Sequence, residues 1–149
     1  MPTTLCPSAR PVDDMPGGLA VFAVAAGTPE EPSAEYLPEA IPITAAMLET
    51  MARGPIEVGE VFRFTKQCRE EACRQWDEKA HACSLIDRWV AALDVPAETA
   101  LPRCAIRQNC RAWHQLGARA CRSCHRVTSQ WITGLDEPLA KVDLEKLYL

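Results

Sequence analysis

Eight cysteines constrain this chain more than any other feature, because six of them are written as a repeat. "CREEACRQWDEKAHAC" runs from Cys68 to Cys83, and "CAIRQNCRAWHQLGARAC" from Cys104 to Cys121. The spacings are C-x4-C-x9-C and C-x5-C-x10-C, each gap one residue longer in the second unit. In both units the middle cysteine is followed by arginine and then, three positions on, by tryptophan: Cys73, Arg74, Trp76 and Cys110, Arg111, Trp113. Thiols recurring at matched offsets point to a duplicated metal-binding half-site. Four thiolates are a common ligand set of structural zinc and the usual one of [4Fe–4S] clusters.

Two further cysteines complete the count. Cys124 makes a C-x2-C pair with Cys121, and Cys6 lies far upstream in "LCPSARP". The simplest partition gives one local tetrad, Cys104, Cys110, Cys121 and Cys124. The other tetrad, Cys68, Cys73, Cys83 and Cys6, is closed by an N-terminal arm folding back. A swap of ligands between the units is the alternative, as in two-cluster ferredoxins. His81, His114 and His125 all lie within or beside the units and are candidate substitutes for a thiolate.

Structural zinc is generally held by two short chelating pairs. The Cys104 tetrad has one such pair, whereas the other relies on scattered single ligands, which suit a cluster several ångströms across. Cys6-Pro7 also repeats, as one dipeptide, the cysteine–proline step of the bacterial ferredoxin run. The expected cofactors are therefore two [4Fe–4S] clusters, with two Zn²⁺ as the alternative. Arg69, Arg74, Arg103, Arg111 and Arg122 each adjoin a cysteine and would offset the net negative charge of either centre. Trp76 and Trp113 would shield the sites from water. The competing view makes the cysteines small apolar core residues and the arginines a solvated face. Glu70, Glu71, Asp77 and Glu78 supply partners for such a face in the first unit, but the second has no acids.

Charge follows the cysteines. Residues 1–67 sum to −5, residues 68–131 to +3 and residues 132–149 to −2, and six arginines but no acid fall between Arg103 and Gly134. The chain of 149 residues, 48% hydrophobic and 24% charged, has the composition of one globular domain. Its longest apolar run, "LAVFAVAA" at 19–26, is far short of a membrane span. That run has the length of a signal-peptide core, but Asp13 and Asp14 precede it against Arg10 alone. A cytoplasmic location without membrane contact is expected. Reduced thiols are then favoured over a disulfide framework.

No G-x-G-x-x-G, P-loop or G-x-S-x-G is present, and Cys121-x2-Cys124 lacks the βαβ context of a thioredoxin-like motif. The sequence therefore points away from an enzyme. It suggests an electron carrier or accessory subunit whose partner is a redox protein or oxidoreductase. The alternative is a zinc-stabilised binding module that offers the arginine-rich stretch 103–126 to an acidic protein or a nucleic acid. The net charge of −4 and the lack of a C2H2, RRM or helix-turn-helix pattern speak against nucleic acid.

Three segments are expected. Residues 1–67 form a proline-rich arm with one or two strands (19–25 and 56–64) and a short helix (43–54) capped by Thr44, with Met47, Leu48 and Met51 as its apolar stripe. Residues 68–131 form the duplicated metal domain, with helices at 69–82, 84–93 (capped by Ser84) and 105–122, the last interrupted at Gly117. Residues 132–149 form a tail or terminal helix. The expected fold class is mostly α with a small β component: duplicated cysteine-rich helical units plus the arm.

Overall fold

The computed structural model describes residues 3–10, 18–28, 30–56, 58–93 and 95–127. Trp131 and the expected terminal helix lie outside them. Four strands from the first part of the chain form one antiparallel sheet: β1 (Leu5–Ala9), β2 (Ala20–Gly27), β3 (Pro32–Pro42) and β4 (Phe62–Gln67), in the order β1-β4-β2-β3. A second, two-stranded ladder pairs β5 (Trp76–Asp77) with β6 (Ala82–Cys83). The helices are α1 (Ala45–Ala52), the single turn α2 (Val58–Val61), α3 (Ser84–Ala92), α4 (Arg111–Leu116) and α5 (Ala118–Ser123).

The described residues are 37% helix and 30% strand, so the expectation of a mostly helical fold is wrong. Proline misled it. Pro7 lies in β1, and Pro32, Pro38 and Pro42 lie in β3, the two outer strands of the sheet, where a residue without an N–H interrupts no interior ladder. Pro38 falls where the β2–β3 register shifts between Val21 and Ala23, in the extra β3 residues between Tyr36 and Ile41. The β2–β4 register shifts at the same place, so Phe22 is a bulge, and Val21, Phe22 and Ala23 are all buried. Central β4 has four successive buried residues, Arg63 to Lys66, which means that both of its faces are covered. Its strand begins at Phe62, and the preceding residues 58–61 are helical rather than extended.

The expected helix 69–82 is also absent. The segment makes a 3₁₀ turn at Glu70–Ala72 and then the β5–β6 hairpin. Asp77 Oδ1 accepts the N–H groups of Lys79 (2.9 Å) and Ala80 (3.2 Å), and His81 takes φ +51°. This local side-chain bonding gives the backbone an alternative to a helix despite the favourable alanine and glutamate content. Helix 105–122 is shorter than expected: a 3₁₀ turn at Arg107–Asn109, then α4 and α5, divided at Gly117 with φ +62°. Thr44 caps α1 as expected, its Oγ1 accepting the Met47 N–H at 3.1 Å, but α1 buries none of its residues. The N-cap of α3 is Cys83, not Ser84, whose hydroxyl donates to Gln75 O at 2.7 Å.

One core joins sheet and helices. Phe22 and Ala23 of β2 meet Leu85, Ile86, Trp89 and Leu93 from α3 and its end, with Ile106, Ala112, Ala120 and Val127 from the second cysteine unit. Trp89 and Ala120 are fully buried. Truncating a tryptophan so placed costs about 3–5 kcal/mol. The amphipathic pattern of 84–93 thus finds its partner in the bulged strand. No helix among the described residues is long and apolar enough to cross a membrane.

Candidate metal centres

All eight cysteines carry free thiols, and they fall into two groups. The first group is assembled by strand pairing. Cys6 lies opposite Lys66 in the β1–β4 ladder, and the Cys68 N–H continues that ladder to Thr4 O at 2.8 Å. Cys6 and Cys68 therefore sit two register positions apart on adjoining strands. The 3₁₀ turn at 70–72 then delivers Cys73, whose thiol accepts the Gln75 N–H at 3.4 Å. The hairpin brings Cys83 back opposite Trp76. Burial pushes the Cys6 thiol up to about 12. The Ser8 N–H opposes the rise, and the neighbouring sulfurs of Cys68, Cys83 and Cys73 add to it. Each of those three is thus close enough to Cys6 to be felt electrostatically.

The second group is Cys104, Cys110, Cys121 and Cys124, all of which line one cavity of about 20 Å³ together with Phe22, Tyr36 and Arg107. That volume exceeds the ~10–15 Å³ needed to admit one water-sized group. Cys110, Cys121 and Cys124 are buried, whereas all four cysteines of the first group are half-buried. Burial pushes Cys110 up to about 12, against the Trp113 N–H and with the Cys124 sulfur, and raises Cys104 and Cys121 as well. Both groups use a helix start. Cys83 precedes α3 with the N–H groups of Ile86 and Leu85 toward its sulfur. Cys110 precedes α4 with those of Trp113 and Ala112 toward its own, although neither closes a side-chain capping bond.

Among the described residues, no three His, Cys, Asp or Glu side chains form the close arrangement that a single metal ion needs. Tetrahedral zinc, with Zn–S near 2.3 Å, would hold its sulfurs about 3.8 Å apart.

Arginine and tryptophan pair at both groups, but not as adjacency in the sequence implied. Arg111 follows a cysteine of the second group and yet lies beside Cys68 of the first, stacked on Trp76 at 5.0 Å and bonded to Glu70 Oε1 at 2.8 Å. Arg107 lies beside Cys121 and stacks on Trp113 at 5.6 Å. Arg122 donates to Thr99 O at 3.0 Å. His81 and His114 are exposed, the latter 2.5 Å from Gln108 O, and half-buried His125 has its pKa lowered by desolvation. None of the three lines the cavity.

Arg63, which the sequence reading passed over, is 8% exposed. Its Nη1 donates to Cys124 O at 2.8 Å, and its Nη2 to Pro7 O at 3.1 Å and Cys124 Sγ at 3.3 Å, while the guanidinium covers the Phe22 ring at 5.4 Å. Desolvation works against its charge, but the Cys124 sulfur and the Tyr36 oxygen outweigh it and raise its pKa. Arginine on a strand that otherwise reads Phe62, Phe64 is the sequence signal that could have marked it.

Seven buried side-chain nitrogen or oxygen atoms among the described residues have no hydrogen-bond partner, and five of them belong to residues around the thiols. They are Ser8 Oγ, Trp76 Nε1 and Arg111 Nε near the first group, and Arg107 Nε and Tyr36 Oη at the second, the last of these lying toward the Cys124 sulfur. Buried donors are almost always paired, so a concentration of unpaired ones around thiols asks for acceptors at those places. No family model, curated protein or solved structure matches the chain.

Proposed function

We propose that the chain is a small iron–sulfur protein, each thiol tetrad holding one [4Fe–4S] cluster, and that it passes single electrons as a carrier or as an accessory subunit of an oxidoreductase. The observation that carries this reading is the set of buried donor atoms left without a partner on residues near the thiols, together with the buried Arg63 on Cys124 Sγ. Neutral thiols are poor company for a buried guanidinium, and thiolates are good company. Four thiolates around an oxidised cubane leave a net charge of −2, which Arg63 and Arg107 offset at the second tetrad. Four thiolates around zinc leave the same charge but present no acceptor beyond their own sulfurs. A cubane adds inorganic sulfides, which hydrogen bonds of this kind stabilise and tune.

Protein purified without oxygen should show broad absorbance near 400 nm with about eight irons and eight sulfides per chain, and Cys6→Ser should keep about half of each. A colourless protein with about two zincs would overturn the proposal in favour of the zinc-stabilised binding module. Full iron loading of Cys6→Ser would overturn the ligand partition.

A further inference from the structure

The two tetrads share a helix. Cys110 belongs to the second tetrad and stands at the start of α4. Arg111 and Gln115 of the same helix serve the first. They are four residues apart and so lie on one face. Gln115 holds the backbone of Cys83, its Oε1 accepting the Cys83 N–H and its Nε2 donating to Cys83 O, each at 2.9 Å. Arg111 lies beside the Cys68 sulfur and donates to Glu70 Oε1 at 2.8 Å. Glu70 O in turn accepts the Cys73 N–H at 2.8 Å. Cys110 itself forms a parallel bridge with Leu5, the residue before Cys6. Each thiol of the first tetrad is thus tied, directly or through one neighbour, to a short helix that begins at a thiol of the second.

We propose, resting on the reading of the two tetrads as metal centres, that α4 couples them. Arg111 and Gln115 are positioning residues, through which metal at the second tetrad strengthens metal binding at the first, and the reverse. An empty tetrad must be gathered before it can bind, and ordering its backbone and side chains costs conformational entropy. Metal on Cys110 fixes the start of α4. That sets Arg111 beside Cys68 and Gln115 on Cys83 in advance, so part of the ordering has been done before the first tetrad binds. By linkage the same factor returns to the second tetrad. Coupling of this kind amounts to about 5–150-fold in affinity.

Two other effects bear on the size of the factor. Arg63 makes a further tie in the same direction, since its Nη2 donates both to Cys124 Sγ and to Pro7 O, next to Cys6. Repulsion between two anionic centres works the other way and weakens with distance and salt.

Zinc titration of the full chain, stripped of metal under reducing conditions and competed with a chromophoric chelator, tests the coupling. The parent is compared with a chain whose first tetrad is disabled by Cys73→Ser and Cys83→Ser, and with one whose second is disabled by Cys104→Ser and Cys121→Ser. The parent's two-ion constant should exceed the product of the two single-site constants by about 5–150-fold. The same set made with Arg111→Gln and Gln115→Ala should give a smaller factor. Arg111→Lys, which keeps the charge beside Cys68, should restore part of it. A purely local role for these side chains would weaken the first site equally whether the second is filled or empty, and the factor would stay where it was. A factor of one or below, or a factor unmoved by the α4 substitutions, would overturn the proposal. A chain that takes up no zinc in either tetrad would instead fail the reading of these thiols as metal ligands.

Discussion

Replacing Arg63 by methionine removes a side chain that ties the first strand, the central strand and the second thiol tetrad together. Three contacts go: those to Cys124 O at 2.8 Å, Pro7 O at 3.1 Å and Cys124 Sγ at 3.3 Å. Methionine fills most of the aliphatic volume, so the loss is mainly polar. Removing one member of a buried charged pair, with its acceptors left behind, costs about 3–5 kcal/mol. That is a large part of the 5–15 kcal/mol available to a domain. At roughly 2–4 °C per kcal/mol for a chain of this length, the melting temperature should fall by about 10–15 °C. Urea unfolding followed by tryptophan fluorescence, with iron counted on the same sample, would measure both consequences, and the second tetrad should lose its metal first. Arg63→Lys keeps the charge without the planar fork and should recover only part of the loss. A methionine variant within 1 kcal/mol of the parent and fully loaded would refute the account of Arg63 as the partner of an anionic sulfur.

Gln115 is expected to matter at the opposite site. Its Oε1 accepts the Cys83 N–H and its Nε2 donates to Cys83 O and Asp87 Oδ1, each at 2.9 Å, so Gln115→Ala should cost about 1–3 kcal/mol and deplete the first tetrad of metal, as read by unfolding and iron analysis. At Gly27, φ is +76° and an added Cβ would meet Glu31 O at 2.3 Å; Gly27→Ala should therefore destabilise by about 2 kcal/mol or more in the same unfolding assay. The metal-free chain should also show a pH signature. Its Cys6 and Cys110 thiols are pushed up to about 12, so folding favours their protonated form. That stability is intact below about pH 8.5, where unfolded thiols begin to ionise, and is lost as pH rises toward 12. Melting temperatures of the metal-free protein should fall between pH 8.5 and 11. Those of the loaded protein, whose thiols would already be deprotonated by metal, should not follow that slope.

The thiols were legible in the sequence because their spacing is local and their number even. The structure places Cys6 near Cys68, which is 62 residues away along the chain, and near Cys73 and Cys83. What was hidden is what depends on strand order. Pro7 and Pro38 look like breakers until β1 and β3 are known to be edges. The repeat itself is only half structural. Cys73 and Cys110 each follow a 3₁₀ turn and share extended backbone angles, but "CRQW" goes on into a hairpin and "CRAW" into α4. Similar words therefore take different shapes once Asp77 bonds to its own turn while its counterpart, His114, continues α4. Arg63 and Tyr36 lie tens of residues from any cysteine that they approach, and no periodicity connects them to one.

The position of Cys6 on an outer strand sets an order of events during synthesis. Cys6 is made before its neighbours Cys68, Cys73 and Cys83, which are added up to 77 residues later. At ribosomal rates this is a wait of about 4–15 s, during which a lone thiol has no site to join. The β1–β4 ladder can close only once Gln67 has emerged to pair with Leu5. Cys104, Cys110, Cys121 and Cys124 span 21 residues and arrive almost together. The last-made site is thus the quickest to gather its ligands, and the first-begun is the slowest. If the thiols take up metal as proposed, the second site can be filled before the last ligand of the first has found Cys6.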